Sequence, residues 1–251
     1  MSDSTPETPR VVAVIQARMG STRLPGKVLR NLSGTPVLGW VTRAAQQAEG
    51  IDEVVIATST SADDGAIADF AASEGLRVIR GSEDDVLSRF LMAVEATDAD
   101  AIVRLTADCP LLDPRLISQV VALWRRDAAQ LDYVSTTQNR SLPRGLDVEL
   151  ATAKALRQAD SRTESHHRAH VTSAIYEAGA GFRLASLQFS PSSAHYRVTL
   201  DTREDAALLD AVAPLLAKVP PAWQDVVAVL DGNPDMVAIN AHIEQKALTE
   251  G

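Results

Sequence analysis

Hydrophobic residues in the first half of the chain alternate between short runs of strand length and stretches with helical spacing. Val11–Ile15 is almost entirely β-branched, the pattern of a parallel strand buried on both faces. Val37, Leu38, Val41, Ala44, Ala45 and Ala48 then recur at helical spacing. Val54–Ala57 is a second strand, and Ile67, Phe70 and Ala71 mark one face of a helix that stops at Gly75. Leu76–Ile79 predicts a third strand. Ser82 is the expected N-cap of a helix carrying Val86, Leu87, Phe90, Leu91 and Val94. Ala101–Leu105 is a fourth strand, and Asp113–Pro114 opens the next helix as N-cap and first residue. Four strand–helix repeats on short links imply an α/β fold, a doubly wound parallel sheet with helices on both faces.

The second half is less regular. Leu131–Ser135, Leu146–Leu150, Phe182–Leu187 and His195–Leu200 read as strands, with Pro143 and Gly145 breaking the chain between the first two. Ser161–Tyr176, Arg203–Lys218, Trp223–Leu230 and Met236–Leu248 read as helices. The sheet is therefore expected to gain a mixed C-terminal extension. No internal repeat occurs, and no linker is long enough to separate independent domains. Residues 1–9, polar and holding two prolines, predict a disordered tail, and 10–251 one domain.

Composition narrows the class. The 251 residues are 45% hydrophobic and 23% charged, as in ordinary soluble globular proteins. No apolar run approaches the roughly 20 residues of a membrane span. Met1–Arg10 lacks the apolar core of a signal peptide. The single Cys109 leaves no internal disulfide, and a cytoplasmic protein without membrane association is expected.

Charge changes the picture once it is located. The net charge is −9, without the broad basic face of a nucleic-acid binder, so no nucleic-acid partner is expected. From Arg10 to Gln47, however, there is no acid at all, while Arg10, Arg18, Arg23, Lys27, Arg30 and Arg43 fall in that stretch. A compact cationic spot on an acidic body suits a small anionic ligand.

The segment after the first strand holds the densest chemistry. Gln16-Ala-Arg-Met-Gly-Ser-Thr-Arg-Leu-Pro-Gly-Lys27 lies at the carboxyl end of a strand, where doubly wound sheets bind ligands. Gly20 and Gly26 allow close backbone approach, Ser21 and Thr22 offer hydroxyls, and Arg18, Arg23 and Lys27 offer cations, the parts that hold phosphate oxygens. It is not a Walker loop: five residues separate Gly20 from Gly26, and Val28 follows Lys27. The dinucleotide fingerprint is also absent. Asp108 follows the fourth strand and Asp201 the His195–Leu200 strand, positions where a carboxylate could ligate Mg²⁺ beside a nucleotide. From spacing alone either also fits a helix cap, and Asp113 fits a cap better than a ligand.

The loop core Ala-Arg-x-x-Ser-Thr-Arg-Leu-Pro-Gly-Lys resembles the signature of the CMP-sugar-acid synthetases, which include 3-deoxy-manno-octulosonate cytidylyltransferases and CMP-sialate synthetases. The longer string Val14–Leu29 is closer still to the spore-coat-polysaccharide-type cytidylyltransferase-like family. The resemblance continues through Arg80–Arg89, Leu105–Pro110, Pro143–Glu149, Arg168–Thr172 and Leu200–Asp205, covering roughly residues 11–215. It implies a Rossmann-like sheet of the nucleotide-diphospho-sugar transferase type. It also implies a Mg²⁺-dependent enzyme that transfers CMP from CTP to a small anionic acceptor and releases pyrophosphate.

Laid onto this chain, the resemblance makes Arg18, Lys27 and Asp108 the catalytic candidates, with Lys27 assisting at the α-phosphate. Gln16, Ala17, Gly20, Ser21, Thr22 and Arg23 would complete the triphosphate site; Thr58, Ser59, Gly81 and Arg89 would surround base and ribose. Asp108 and Asp201 match the metal-binding aspartates, although Ala107 stands where the sugar-acid enzymes usually have glycine. Arg168 and His170 fall in a family-like Arg-x-His-Val-Thr stretch that His167 directly precedes, and the three, with Arg144, Asp147 and Glu149, are the acceptor-side candidates. A homodimer is expected from the same resemblance.

Other chemistries find less support. His166 and His170 share helical spacing, but the zinc motif His-Glu-x-x-His is absent. No G-x-S-x-G elbow marks a hydrolase, and Cys109 reads as a packed small side chain. A nucleotidyltransferase using another NTP, a nucleotide-sugar glycosyltransferase and a catalytically silent nucleotide-binding domain remain the alternatives. The glycosyltransferase would usually carry Asp-x-Asp where this chain has Asp108-Cys-Pro.

Overall fold

The β-branched run after the N-terminal segment becomes the central strand β1 (Val11–Gln16), five of whose residues are wholly buried. In this computed structural model, which describes residues 8–245, β1 pairs in parallel with β4 (Glu53–Ser59) on one side and β6 (Ala101–Thr106) on the other. β5 (Arg77–Gly81) extends the parallel sheet beyond β4. A hairpin absent from the sequence expectation, β2 (Asn31–Leu32) with β3 (Thr35–Pro36), lies between β1 and the first helix α1 (Val37–Gln47). Helices α2 (Gly65–Ser73), α3 (Val86–Thr97) and α4 (Pro114–Arg126) complete the four repeats.

β1 explains the two-layered core. Val11, Ala13 and Ile15 face a cluster with α1, α4 and the C-terminal helices, while Val12 and Val14 face α3 and the helices of the second half. A strand covered on both sides must be apolar throughout, hence the continuous run.

The second half adds β7 (Tyr133–Ser135), β8 (Glu149–Thr152) and β9 (Leu184–Ser186), giving the order β5-β4-β1-β6-β8-β7-β9. β8 runs antiparallel to both neighbours, the mixed extension expected. Helix α5 (Ala153–Ala159), capped by Thr152 on the Ala155 amide, was not anticipated. The predicted helix Ser161–Tyr176 is two short ones, α6 (Ser165–His170) and α7 (Ser173–Tyr176). The break falls at Val171, with φ of 53°, where the Thr172 hydroxyl is drawn to the Glu149 carboxylate.

Further corrections follow the same logic. His195–Leu200 is not a strand, because its backbone partners are loops: Arg144 bridges Arg197, and the Leu200 amide donates to Asp108. The expected long helix is α8 (Arg203–Val212), giving way to a 3₁₀ turn at Ala213–Leu215, since Pro214 has no amide to donate. The cap of α3 is Asp85, which accepts from Ser88 N at 3.0 Å; Ser82 instead accepts from Asp85 N. After α9 (Trp223–Asp231), α10 spans only Pro234–Ala238. Most of the expected tail, residues 1–7, and the end of the Met236–Leu248 helix, from residue 246, lie outside the described residues. None of the described helices is long and apolar enough to cross a membrane.

Candidate active site

The connection leaving β1 turns toward β4, whereas β6 lies on the other side of β1. Their carboxyl ends thus flank a topological switch point, the crevice where open α/β sheets bind ligands. Two segments border it, residues 17–36 and 107–113.

The first segment is a folded loop. The Ala17 amide donates to Ala57 O, the Gly26 amide to Met19 O at 3.0 Å, and the Leu24 amide to the Ser21 hydroxyl at 3.3 Å. Gly26 has φ of 70°, a conformation glycine adopts without steric cost, and it turns the chain into the 3₁₀ turn that begins with Lys27. Arg18 and Thr22 are exposed on the loop, Gly20 passes beside the Glu83 carboxylate, and the Gln16 side chain accepts from Arg104 Nε at 2.9 Å.

Lys27 carries the centre of the site. Its side chain is 10% exposed, and Nζ donates to Asp108 Oδ2 and to Asp201 Oδ1, each at 2.7 Å. Burial alone would lower the lysine pKa, but the two carboxylates raise it above its ordinary value. Burial conversely pushes Asp108 up, and the Lys27 ammonium overcomes this and holds it below the usual carboxylate range. Asp201 also meets Arg23 Nη2 at 3.3 Å and Arg197 Nη2 at 2.9 Å. The two aspartates are 93 positions apart in sequence, and Leu200 N to Asp108 O at 2.8 Å stitches their segments together. Asp113 caps α4, accepting from Arg115 N at 2.8 Å.

A second focus lies at the ends of β4 and β5. Arg89 is 2% exposed, yet among the described residues its Nε and Nη1 make no hydrogen bond, and neither does the buried Thr58 hydroxyl, which lies beside Asp64. Burial is the main force lowering the Arg89 pKa; Asp64 opposes it and Arg18 adds to it. Gly81 lets Arg89 lie against β5, since a Cβ there would stand 2.9 Å from Arg89 Cγ. Ser59 donates its hydroxyl to Asp64 Oδ2 at 2.5 Å.

Asp64 is a residue the sequence expectation missed. Almost fully buried, it accepts from Met19 N at 2.7 Å and Ser59 N at 3.0 Å, joining the β1 loop to the end of β4. Burial raises its pKa, and the Met19 and Ser59 donors more than offset that. Its only sequence signal is its place before a helical pattern.

The acceptor-side candidates are mostly engaged with one another or with neighbours. Asp147 forms a two-pronged pair with Arg140 (2.5 and 3.0 Å), and Glu149 accepts from Arg104 and Thr172. Arg168 pairs with Asp85 and Asp160, tying α6 to the start of α3. His167 is buried, with Nδ1 2.9 Å from the Ser173 hydroxyl and Nε2 3.2 Å from Arg162 Nη2. His170 closes α6. Among the described residues no hydrogen bond or ion pair engages the Arg144 guanidinium, whose pKa burial lowers, with Arg140 and Arg197 adding to the shift. His166, His167 and Glu177 bring ligand atoms within 4.8 Å of one another, but the Arg162 guanidinium already supplies a cation there.

The sheet and its switch-point crevice define a Rossmann-like α/β fold. Known proteins bear this out: a cytidylyltransferase structure from Leptospira borgpetersenii superposes with a TM-score of 0.88 at 29% identity, covering 95% of this chain and 100% of that one. A CMP:2-keto-3-deoxy-manno-octonic acid synthetase solved with CTP shares the fold at a TM-score of 0.62 and 19% identity, over 82% of this chain and 98% of that one. The chain belongs to the cytidylyltransferase family, whose model matches residues 12–213. The spore coat polysaccharide biosynthesis protein SpsF of Bacillus subtilis is 32% identical over 234 residues, 90% of this chain and 95% of that protein.

Proposed function

We propose that this cytidylyltransferase-family enzyme transfers CMP from CTP to an oxygen of a small acidic acceptor, with Mg²⁺, releasing pyrophosphate. The observation carrying the reading is the convergence of Asp108 and Asp201 on Lys27 in the crevice beneath the Gln16–Lys27 loop. The donor set fits a hard divalent cation: two carboxylate oxygens converge within reach of one atom, and such ions at nucleotides take one or two carboxylates besides phosphate oxygens. Asp108 and Asp201 would hold it, and when bound it supplies positive charge to the triphosphate oxygens.

The chain's own groups do the rest. Arg18, Arg23 and Lys27 balance the triphosphate, Lys27 at the α-phosphate once its carboxylate partners have another cation. The loop backbone around Gly20–Thr22 holds the phosphates in place. The unpaired donors of Arg89, with the Thr58 hydroxyl, suit the carbonyl and ring-nitrogen acceptors of a pyrimidine, in a site where unmet buried donors are costly. The acceptor oxygen attacks the α-phosphorus in line, a hydroxyl acceptor giving up its proton to solvent and an anionic oxygen having none to lose; the bond to the β-phosphate bridging oxygen breaks, and the leaving pyrophosphate is stabilised by Arg18 and Arg23. Positioning and electrostatics supply the catalysis. Arg144, with no side-chain partner among the described residues, is the acceptor-side group suited to meet an anionic substituent, and Asp147, Glu149, His167, Arg168 and His170 shape that side.

The test is pyrophosphate release with Mg²⁺, each of four NTPs, and a panel of sugar acids, phosphates and phosphonates. Release with CTP and one acceptor class is expected. Release with a different NTP would overturn the base assignment. No binding of any NTP by calorimetry would refute the reading altogether.

A further inference from the structure

Asp201 is gripped by three cations of different character. Lys27 and Arg23 belong to the loop after β1, and in the reading above both turn to phosphate when nucleotide binds. Arg197 cannot turn. Its Nε donates to Asp205 Oδ1 at 2.8 Å and its Nη2 to Asp205 Oδ2 at 2.9 Å, a two-pronged fork, while the same Nη2 reaches Asp201 Oδ2 at 2.9 Å. Asp205 is 0% exposed and also accepts from Asp201 N, Thr202 N and Asn240 Nδ2. Rotating Arg197 away would leave a buried carboxylate without its counter-charge, which is strongly unfavourable.

The backbone of Arg197 is pinned as well. Arg144 N donates to Tyr196 O at 3.0 Å, Val198 N to Arg144 O at 2.7 Å, and Asn240 Nδ2 to Arg197 O at 3.1 Å. Gly145 makes this seat possible: with φ of 105°, it lies so close to Val198 and Thr199 that a Cβ would stand 2.6 Å from Thr199 N.

We propose that Arg197 is a positioning residue for Asp201. It occupies Oδ2 permanently, so that Asp201 offers a divalent cation only Oδ1, the oxygen that shares Lys27 with Asp108. Asp205 is the anchor that makes the hold permanent. The inference rests on the metal-dependent reading of Asp108 and Asp201. A purely structural ion pair would stabilise α8 without affecting metal affinity, and this separates the two roles.

The experiment is Mn²⁺ binding in the presence of CTP, followed by the electron paramagnetic resonance signal of free Mn²⁺, alongside thermal melting. Arg197→Lys is expected to melt as a folded protein and to bind Mn²⁺ about 10–100-fold more weakly, the usual cost of losing a partner behind a metal ligand. In an Asp201→Asn background the same change is expected to add no further loss. Arg30→Lys, at the Arg30–Asp210 pair that also touches α8, should leave Mn²⁺ affinity unchanged. Wild-type affinity in folded Arg197→Lys, or an undiminished loss in the Asp201→Asn background, would overturn the proposal. Should Arg197→Lys not fold, Asp205→Asn, which keeps the capping oxygen but removes the anchoring charge, carries the same expectation and the same refutation. Wild-type protein that takes up no Mn²⁺ with CTP would instead bring down the metal reading, and this inference with it.

Discussion

Replacing Lys27 by methionine should separate two properties that usually fall together. Asp108 Oδ2 and Asp201 Oδ1 are each 2.7 Å from Lys27 Nζ, so they lie at most twice that distance apart. Without the ammonium the carboxylates face each other across roughly 5 Å, a repulsion of about 3 kcal/mol at the effective dielectric that describes partly buried pairs. Arg23 and Arg197 offset some of this at Asp201, whereas a separation under 5 Å would add to it, so about 3 kcal/mol is the central figure. For a chain of this length, melting of the metal-free variant should drop by about 6–12 °C. A divalent cation relieves the same repulsion, so nucleotide-free Mn²⁺ binding should tighten, by about a hundredfold. Turnover should nevertheless fall by about 10²–10³, the usual cost of one preorganised charge-stabilising donor. Melting with and without Mn²⁺, direct Mn²⁺ titration and pyrophosphate release read out all three. A variant that melts like wild type without metal and binds Mn²⁺ no more tightly would refute the idea that Lys27 and the metal compete for these oxygens.

Three further outcomes are expected. Arg89→Met removes a buried cation with two unmet donors, so stability should change by less than about 1 kcal/mol or rise, while CTP affinity by calorimetry falls at least about tenfold. Gly145→Ala should destabilise by at least about 1–3 kcal/mol in denaturant titration from the backbone conformation alone, and more from the clash with Thr199. His167 is held below its ordinary pKa by burial, then by His166 and Arg162. Between the folded value and about 6.5 the unfolded chain binds a proton that the folded chain refuses. Its contribution is therefore fully present above about pH 6.5 and declines as pH falls below it, by no more than about 1.4 kcal/mol per pH unit. His167→Gln should flatten that part of the stability–pH curve, and an unchanged slope would show that His167 does not set it.

The first half of the fold was legible because its central strands β1, β4 and β6 are buried on both faces and each helix carries one apolar stripe. Val11–Ile15, Ala101–Leu105 and the Asp113–Pro114 cap needed no tertiary information. The second half was harder to read because its conformation is imposed by side-chain contacts distant in sequence. Tyr196, Val198 and Leu200 alternate like a strand, yet what their backbone meets is Arg144 and Asp108 rather than a neighbouring strand. The Ser161–Tyr176 pattern is helical throughout, and the break at Val171 comes with the hydroxyl bond from Thr172 to Glu149. The loop cations and the two aspartates could be named from the motif alone. Asp64, Arg197 and Asp205 could not, because their importance lies in what they hold. The Thr202–Asp205 capping box was nonetheless written in the sequence.

The reversed direction of β8 has a consequence for how such a chain can diversify. Its first residue, Glu149, lies opposite Arg104 and Ser135, near the same edge at which β1, β4 and β6 end. The segment from 136 to 148, which precedes β8, therefore opens onto the ligand edge, where a parallel strand in its place would have turned that segment to the far side. This segment shares no residues with 17–36 or 107–113, which carry Lys27 and Asp108. Under the proposed function, insertions or exchanges in it would remodel the acceptor side while the nucleotide side keeps its geometry. Gly145 sets the limit on that freedom, because there the variable segment rests directly on the backbone leading to Asp201.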